Sequence, residues 1–251
     1  MARLIFVHGA FAGAWKWARV VEPLEAAGHT AEALDLPGSG EDRTPVGEVT
    51  LDAYVDRVAA QLDGRPEPAV LVASSMGGVV CTETAARHPE KVAGIVYVAA
   101  FVPRDGQSLL DLTQYPEGAD DEIQANMVVE GNPPAASMPL EASRSAEYWE
   151  CSEEDFSWAY PQQRPQPVAP FTQAVQIPEG TFDRIPRAYV LCTRDRSIPP
   201  ALQRRMIAEN GIEDVIEIGT DHSPMLSRTP ELAEALDQLV DRIEGRQGAA
   251  R

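Results

Sequence analysis

The chain has 251 residues, 44% of them hydrophobic and 24% charged, an ordinary globular balance that excludes wholesale disorder and provides for one large domain or a domain with an insertion. A formal net charge of −18 excludes nucleic-acid partners and charge-driven binding to an anionic membrane, since both need basic patches. Three cysteines, Cys81, Cys151 and Cys192, are odd in number and lack metal-ligand spacing, so neither a disulfide scaffold nor a zinc or other metal site is expected, and a reducing compartment fits.

The chain opens Met1-Ala2-Arg3 and passes at once into Leu4–Val7, a short apolar run suited to a strand covered on both faces. That opening leaves no room for a secretory leader, and no apolar run approaches transmembrane length, so a cytoplasmic location is expected. Trp15–Ala27 has helical spacing and stops at Gly28. Thr30–Leu36 reads as a second strand, ended by Pro37-Gly38-Ser39-Gly40. Thr50 is a candidate N-cap for a helix to about Asp63, broken by Gly64-Arg65-Pro66. The strand Ala69–Ala73, a helix from Met76 to about His88 and the strand Val92–Ala99 follow. Repeated units of this kind predict an α/β fold with a doubly wound, mostly parallel sheet and right-handed crossovers. The loops after Val7, Ala73 and Ala99 then share the rim where such sheets bind ligands.

From Pro103 to about Pro186 the alternation stops. Prolines are frequent there, two of the four tryptophans occur there, and Glu141–Glu150 and Ser152–Tyr160 read as short amphipathic helices. Irregular stretches this long inside a compact domain are uncommon unless they cover or bind something. Residues 103–185 are therefore expected to form an inserted helical lid on a core made of residues 1–102 and 186–251. Beyond it come the strand Ala188–Cys192, the helix Pro200–Asn210, the strand Val215–Ile218 and a helix from Pro230 to about Gly245, with Gln247–Arg251 as a frayed tail.

Ala73-Ser74-Ser75-Met76-Gly77 places a serine where strand turns into helix, as in the Gly-x-Ser-x-Gly hydrolase turn, with Ala73 in place of the first glycine. Were Ser74 the nucleophile instead, the glycine would fall three residues later and the helix-opening amide would be misplaced. A serine hydroxyl needs a base held by a third group. Of four histidines, His8 ends the first strand beside Gly9-Ala10, His29 follows a helix-ending glycine as a surface turn residue, and His88 caps a helix C-terminus. His222, in the loop after a late strand, is the best base candidate. Asp195, just past Cys192, supplies the third group, although it could instead pair with Arg194 or Arg196, or cap the helix that follows. The order Ser75, Asp195, His222 is that of the hydrolases. The amides of Ala10 and Met76 are the natural oxyanion donors. The loop His8–Trp15 matches no phosphate-binding spacing, and Lys16 is followed by neither Ser nor Thr.

With those residues in place the chain resembles an α/β-hydrolase of the plant methylesterase, salicylate-binding esterase and hydroxynitrile lyase group. The resemblance spans nearly the whole length. It rests on His8-Gly9-Ala10 with Gly13-Ala14-Trp15-Lys16-Trp17, Leu34-Asp35-Leu36, Ser75-Met76-Gly77-Gly78, Ala99 to Pro103, Cys192 to Asp195, and Asp221-His222 with Met225-Leu226. It implies a Ser-His-Asp triad under a helical lid, acting on small esters without metal or organic cofactor. The lyase branch uses a threonine where this chain has Gly9 and a lysine where it has Ser223, so the resemblance favours ester hydrolysis. Phe11, Trp149, Trp158 and Met225 are candidate substrate-binding residues, with Trp17 and Phe101 as further possible walls; aromatic residues at such positions are more often core. A small-molecule ester is the expected partner of a monomer or homodimer. Alternatives are a lyase or cyclase using the same triad, a thioesterase, or a non-catalytic binding module.

Overall fold

The chain alternates β1 (Arg3–Val7), α1 (Ala18–Ala26), β2 (Thr30–Leu34), α2 (Leu51–Asp63), β3 (Ala69–Ser75), α3 (Gly77–Arg87) and β4 (Val92–Ala100) in the computed structural model, which describes the backbone of residues 1–249 and the side chains of residues 1–246. Next come the short helices α4 (Leu109–Thr113) and α5 (Glu122–Asn126), strands β5 (Val128–Glu130) and β6 (Ala135–Ser137), helices α6 (Leu140–Glu147) and α7 (Glu153–Ala159), strand β7 (Gln166–Pro167) and helix α8 (Ala169–Thr172). The alternation resumes with β8 (Arg187–Cys192), α9 (Pro200–Glu209), β9 (Asp214–Ile218), α10 (Pro224–Ser227) and α11 (Thr229–Ala249). Six strands form one parallel sheet in the order β2-β1-β3-β4-β8-β9.

Both faces of this sheet are buried, which is why its strands read as continuous apolar runs. Successive side chains point to opposite faces. Ile5, Val7, Leu71, Ala73, Ile95 and Tyr97 pack with Val55 and Val58 of α2, Val79 and Val80 of α3 and Leu202 of α9. Leu4, Phe6, Val70, Val72, Val96 and Val98 pack instead with Val20 and Leu24 of α1 and Leu236, Leu239 and Ile243 of α11. Register is continuous across the centre, from Val7 through Ala73, Tyr97 and Tyr189 to Val215. Among the described residues no helix is long and apolar enough to cross a membrane.

The structure departs from the sequence reading at several places. The helix expected from Trp15 starts at Ala18, after a 3-10 turn over Ala14–Trp17. Strand β2 stops at Leu34 because Asp35 and Leu36 are engaged elsewhere: the Asp35 carboxylate accepts from Ala14 N (2.6 Å) and Glu41 N (2.9 Å), and Leu36 N donates to His8 Nε2 (3.1 Å). The segment expected to be helical also carries a three-stranded antiparallel sheet, β5-β6-β7. Of the expected frayed tail, residues 247–249 continue the backbone of α11 and 250–251 lie outside the described residues.

Candidate active site

Strand β3 carries the chain to Ser75, which turns directly into α3 with φ at 51°, a left-handed value that side chains with a Cβ avoid unless the surroundings impose it. The surroundings do so here. The β3–β4 ladder pairs Ser74 with Val98 but Ser75 with Ala100, skipping Ala99, whose own φ is 41°. The Tyr189 hydroxyl accepts from Ala100 N (3.0 Å) and donates to Ala100 O (2.8 Å), and Phe101 N donates to Ser75 O (3.1 Å). Ala73 sits fully buried between Val7 and Tyr97. The tight approach falls on Gly9, where an added Cβ would lie 2.7 Å from Ser75 Cβ. Ser74 is buried, and among the described residues its hydroxyl has no hydrogen-bond partner.

His222, in the loop after β9, has Nδ1 2.7 Å from Asp195 Oδ2. Because a carboxylate only accepts, Nδ1 donates and Nε2 is left as an acceptor. Asp195 Oδ1 accepts from Ser197 N (2.7 Å) and Ile198 N (3.0 Å), and Oδ2 also accepts from Gln203 Nε2 (3.2 Å). Asp195 thus holds the histidine and shapes the turn into α9 together. Its neighbours look elsewhere: Arg194 pairs with Glu150 (2.8 Å), and Arg196 lies over the Trp149 ring (4.2 Å). Beside His222, buried Asp221 accepts from Glu150 N (2.9 Å) through Oδ2 and from Ser227 Oγ (2.8 Å) through Oδ1, tying the histidine loop to the 103–185 segment.

His8 is fully buried; its Nδ1 donates to Gly9 O (2.7 Å) while Nε2 accepts from Leu36 N, which shapes the loop that presents Ala10. Burial pushes its pKa down from 6.5 to about 4. The unfolded chain therefore takes up a proton near pH 6.5 that the folded one resists until about 4, so the stabilisation is complete above pH 6.5 and is lost as pH falls through that window. It amounts to about 3 kcal/mol. Unfolding free energies measured from pH 7 to 4 should show this slope, and His8→Gln should flatten it by that amount. Phe11, at φ 63°, extends the same loop, and its carbonyl accepts from Arg164 N (2.9 Å).

Ser75, His222, Ala10, Met76 and Phe11 line one cavity. Phe101, Leu109, Leu110, Met127 and Phe171 make its wall apolar; Lys16, Asp121 and Glu147 add charged groups. Burial pushes the Asp121 carboxyl up to about 6. Three candidate binding residues lie outside this cavity. Met225 is fully buried in the core on the α1 and α11 side. Trp158 is 40% exposed and packs edge-on against Trp15. Trp149 is outside the cavity, its Nε1 donating to Arg194 O (3.1 Å). Trp17 is likewise core, against Phe6. His29, expected as a surface turn residue, is buried and lies 2.8 Å from Asp237, whereas His88 terminates α3.

Sequence reasoning missed Lys16, Asp121 and Glu147 on the cavity wall, and Gln203 and Tyr189 behind it. Asp121 offered only the signal of a helix N-cap, a role it does fill for α5. The others carried no positional signal.

Residues 4–235 match the family described as the alpha/beta hydrolase family. Salicylic acid-binding protein 2 of Nicotiana tabacum is 32% identical over 95% of this chain and 96% of its own length. Methylesterase 7 of Arabidopsis thaliana is 32% identical over 96% of each. Among solved structures, polyneuridine aldehyde esterase superposes with a TM-score of 0.84 at 27% identity, covering 94% of this chain and 98% of that one.

Proposed function

The chain belongs to the alpha/beta hydrolase family and is a hydrolase of the carboxylesterase type; from that premise we propose that it cleaves a small, mostly apolar carboxylic ester or lactone through an acyl-Ser75 intermediate. The Ser75 hydroxyl attacks the carbonyl as His222 Nε2 takes its proton, and Asp195 holds the imidazole in the accepting tautomer and stabilises the imidazolium. The backbone amides of Ala10 and Met76 receive the oxyanion, a contribution of about 3–4 kcal/mol per donor in such sites. His222 then returns the proton to the leaving alkoxide, and water repeats the sequence to free the acid. Residues 103–185 act as the lid of this cavity, and the reaction belongs to the cytoplasm, in line with three free, buried cysteines.

The observation that carries this reading is the convergence on one cavity of a backbone-strained serine and a histidine whose far nitrogen is held 2.7 Å from a buried aspartate. Hydrolysis is favoured over a lyase outcome by Gly9, because a threonine there would begin 2.7 Å from Ser75 Cβ. A fluorophosphonate probe followed by mass mapping tests it. The adduct is expected on the peptide bearing Ser75 and should vanish in His222→Ala; an adduct on another residue would overturn the assignment.

A further inference from the structure

Lys16 projects from the 3-10 turn before α1 and lines the same cavity as Ser75 and His222, yet is only 3% exposed. Burying an ammonium costs several kcal/mol unless new partners replace its water. Among the described residues its Nζ has no carboxylate within 4.0 Å and no hydrogen-bond acceptor; what it has is the face of the Tyr148 ring, 5.2 Å away at the centroid. A cation–π contact of about 2 kcal/mol leaves most of that cost uncovered. The acids sharing the cavity are engaged with other donors. Glu147 Oε2 accepts from Ser143 Oγ (3.1 Å) and Gln163 Nε2 (3.0 Å), and Asp121 accepts from Ile123 N (2.8 Å) and Gln124 N (3.1 Å). Among the described residues the ammonium is thus left without a protein acceptor, on a side chain that lines the space a substrate would fill.

We propose that Lys16 is a specificity residue whose ammonium binds a second acceptor oxygen, keto or carboxylate, carried by the substrate beyond its scissile ester. The substrate class is then a small ester with an apolar body and one such acceptor, which refines and rests on the Ser75 hydrolase reading. A hydrogen bond to a charged donor in a desolvated pocket is lost almost entirely when the acceptor or the donor is removed, a discrimination of roughly 10- to 100-fold.

Three near-isosteric substrates test it: methyl valerate, methyl levulinate and monomethyl succinate. The wild-type enzyme should prefer the keto or the carboxylate ester over the plain one by about tenfold or more. Lys16→Met should erase that preference mainly through KM, costing the keto or carboxylate ester about tenfold more than methyl valerate, and Lys16→Arg should keep part of it. The arm that responds names the acceptor. Equal loss on all three esters in Lys16→Met, or no preference in the wild type, would overturn the proposal. A calorimetric titration separates it from the hydrolase reading. Levulinate or succinate should bind a turnover-free Ser75→Ala protein more tightly than the Ser75→Ala, Lys16→Met double variant, whatever the chemistry at Ser75. Equal binding to both sinks the role of Lys16 even if esters are cleaved.

Discussion

Ser75→Ala is expected to lower kcat on small esters by about 10⁶-fold, and Asp195→Asn by about 10⁴-fold. The asparagine oxygen can still accept from Ser197 N and Ile198 N, so the turn into α9 survives. Its amide nitrogen would then face His222 Nδ1, where the aspartate now accepts at 2.7 Å. A donor there forces the imidazole into the other tautomer, with Nε2 carrying a proton and unable to take the one from Ser75. Gln203 Nε2, 3.2 Å from the same position, would add a second donor against a donor. The effects should not add: once Ser75 is gone there is no proton for His222 to receive, and the double variant should match Ser75→Ala. Steady-state rates with a chromogenic ester measure all three. A loss below tenfold in Asp195→Asn would mean that His222 does not depend on Asp195.

A large effect on stability is expected at Gly78. A Cβ there would lie 2.1 Å from Phe101 O and 3.1 Å from Ala100 Cβ, because the first turn of α3 is pressed against the end of β4. Alanine is the better helix former by about 1 kcal/mol, but the overlap is with backbone and has no flexible tip to swing aside. Phe101 cannot retreat freely, since its N–H is bonded to Ser75 O. Overpacking of this kind costs about 3 kcal/mol or more, so Gly78→Ala should lose about 2 kcal/mol net and lower Tm by several degrees. Activity should fall with it as Ser75 is displaced. Gly245→Ala is the matched control: an added Cβ meets nothing within 4 Å among the described residues, so that variant should be neutral or slightly stabilised. Calorimetric melting of both proteins decides the matter.

Sequence and structure agree best where burial is two-sided. The apolar runs of β1, β3, β4 and β8 read as covered strands, and together with β9 they put Ser75 at the end of β3, Asp195 just past β8 and His222 beyond β9. What could not be read follows from contacts between segments distant in sequence. Val128, Val129 and Glu130 are all exposed, so β5 shows none of the alternation by which a strand is recognised. The aromatic residues of a short amphipathic segment do not say which way they turn, and Trp149 and Trp158 turn outward onto Arg196 and Arg19. Lys16 is the converse case: a lysine reads as solvated, and only tertiary packing buries it in the cavity wall, with its ammonium over the Tyr148 ring.

The bonds from Glu150 N to Asp221 and from Arg164 N to Phe11 O mean that the 103–185 segment braces the His222 loop at one side of the cavity and the Phe11 loop at the other. It is not a detachable cover. Grafting the corresponding stretch from a relative in order to change substrate preference would import new struts for both loops, and loss of turnover in such a chimera would be a fault of scaffolding before it was one of fit. Redesign of this pocket is better begun at single wall positions, such as Leu110 and Thr113.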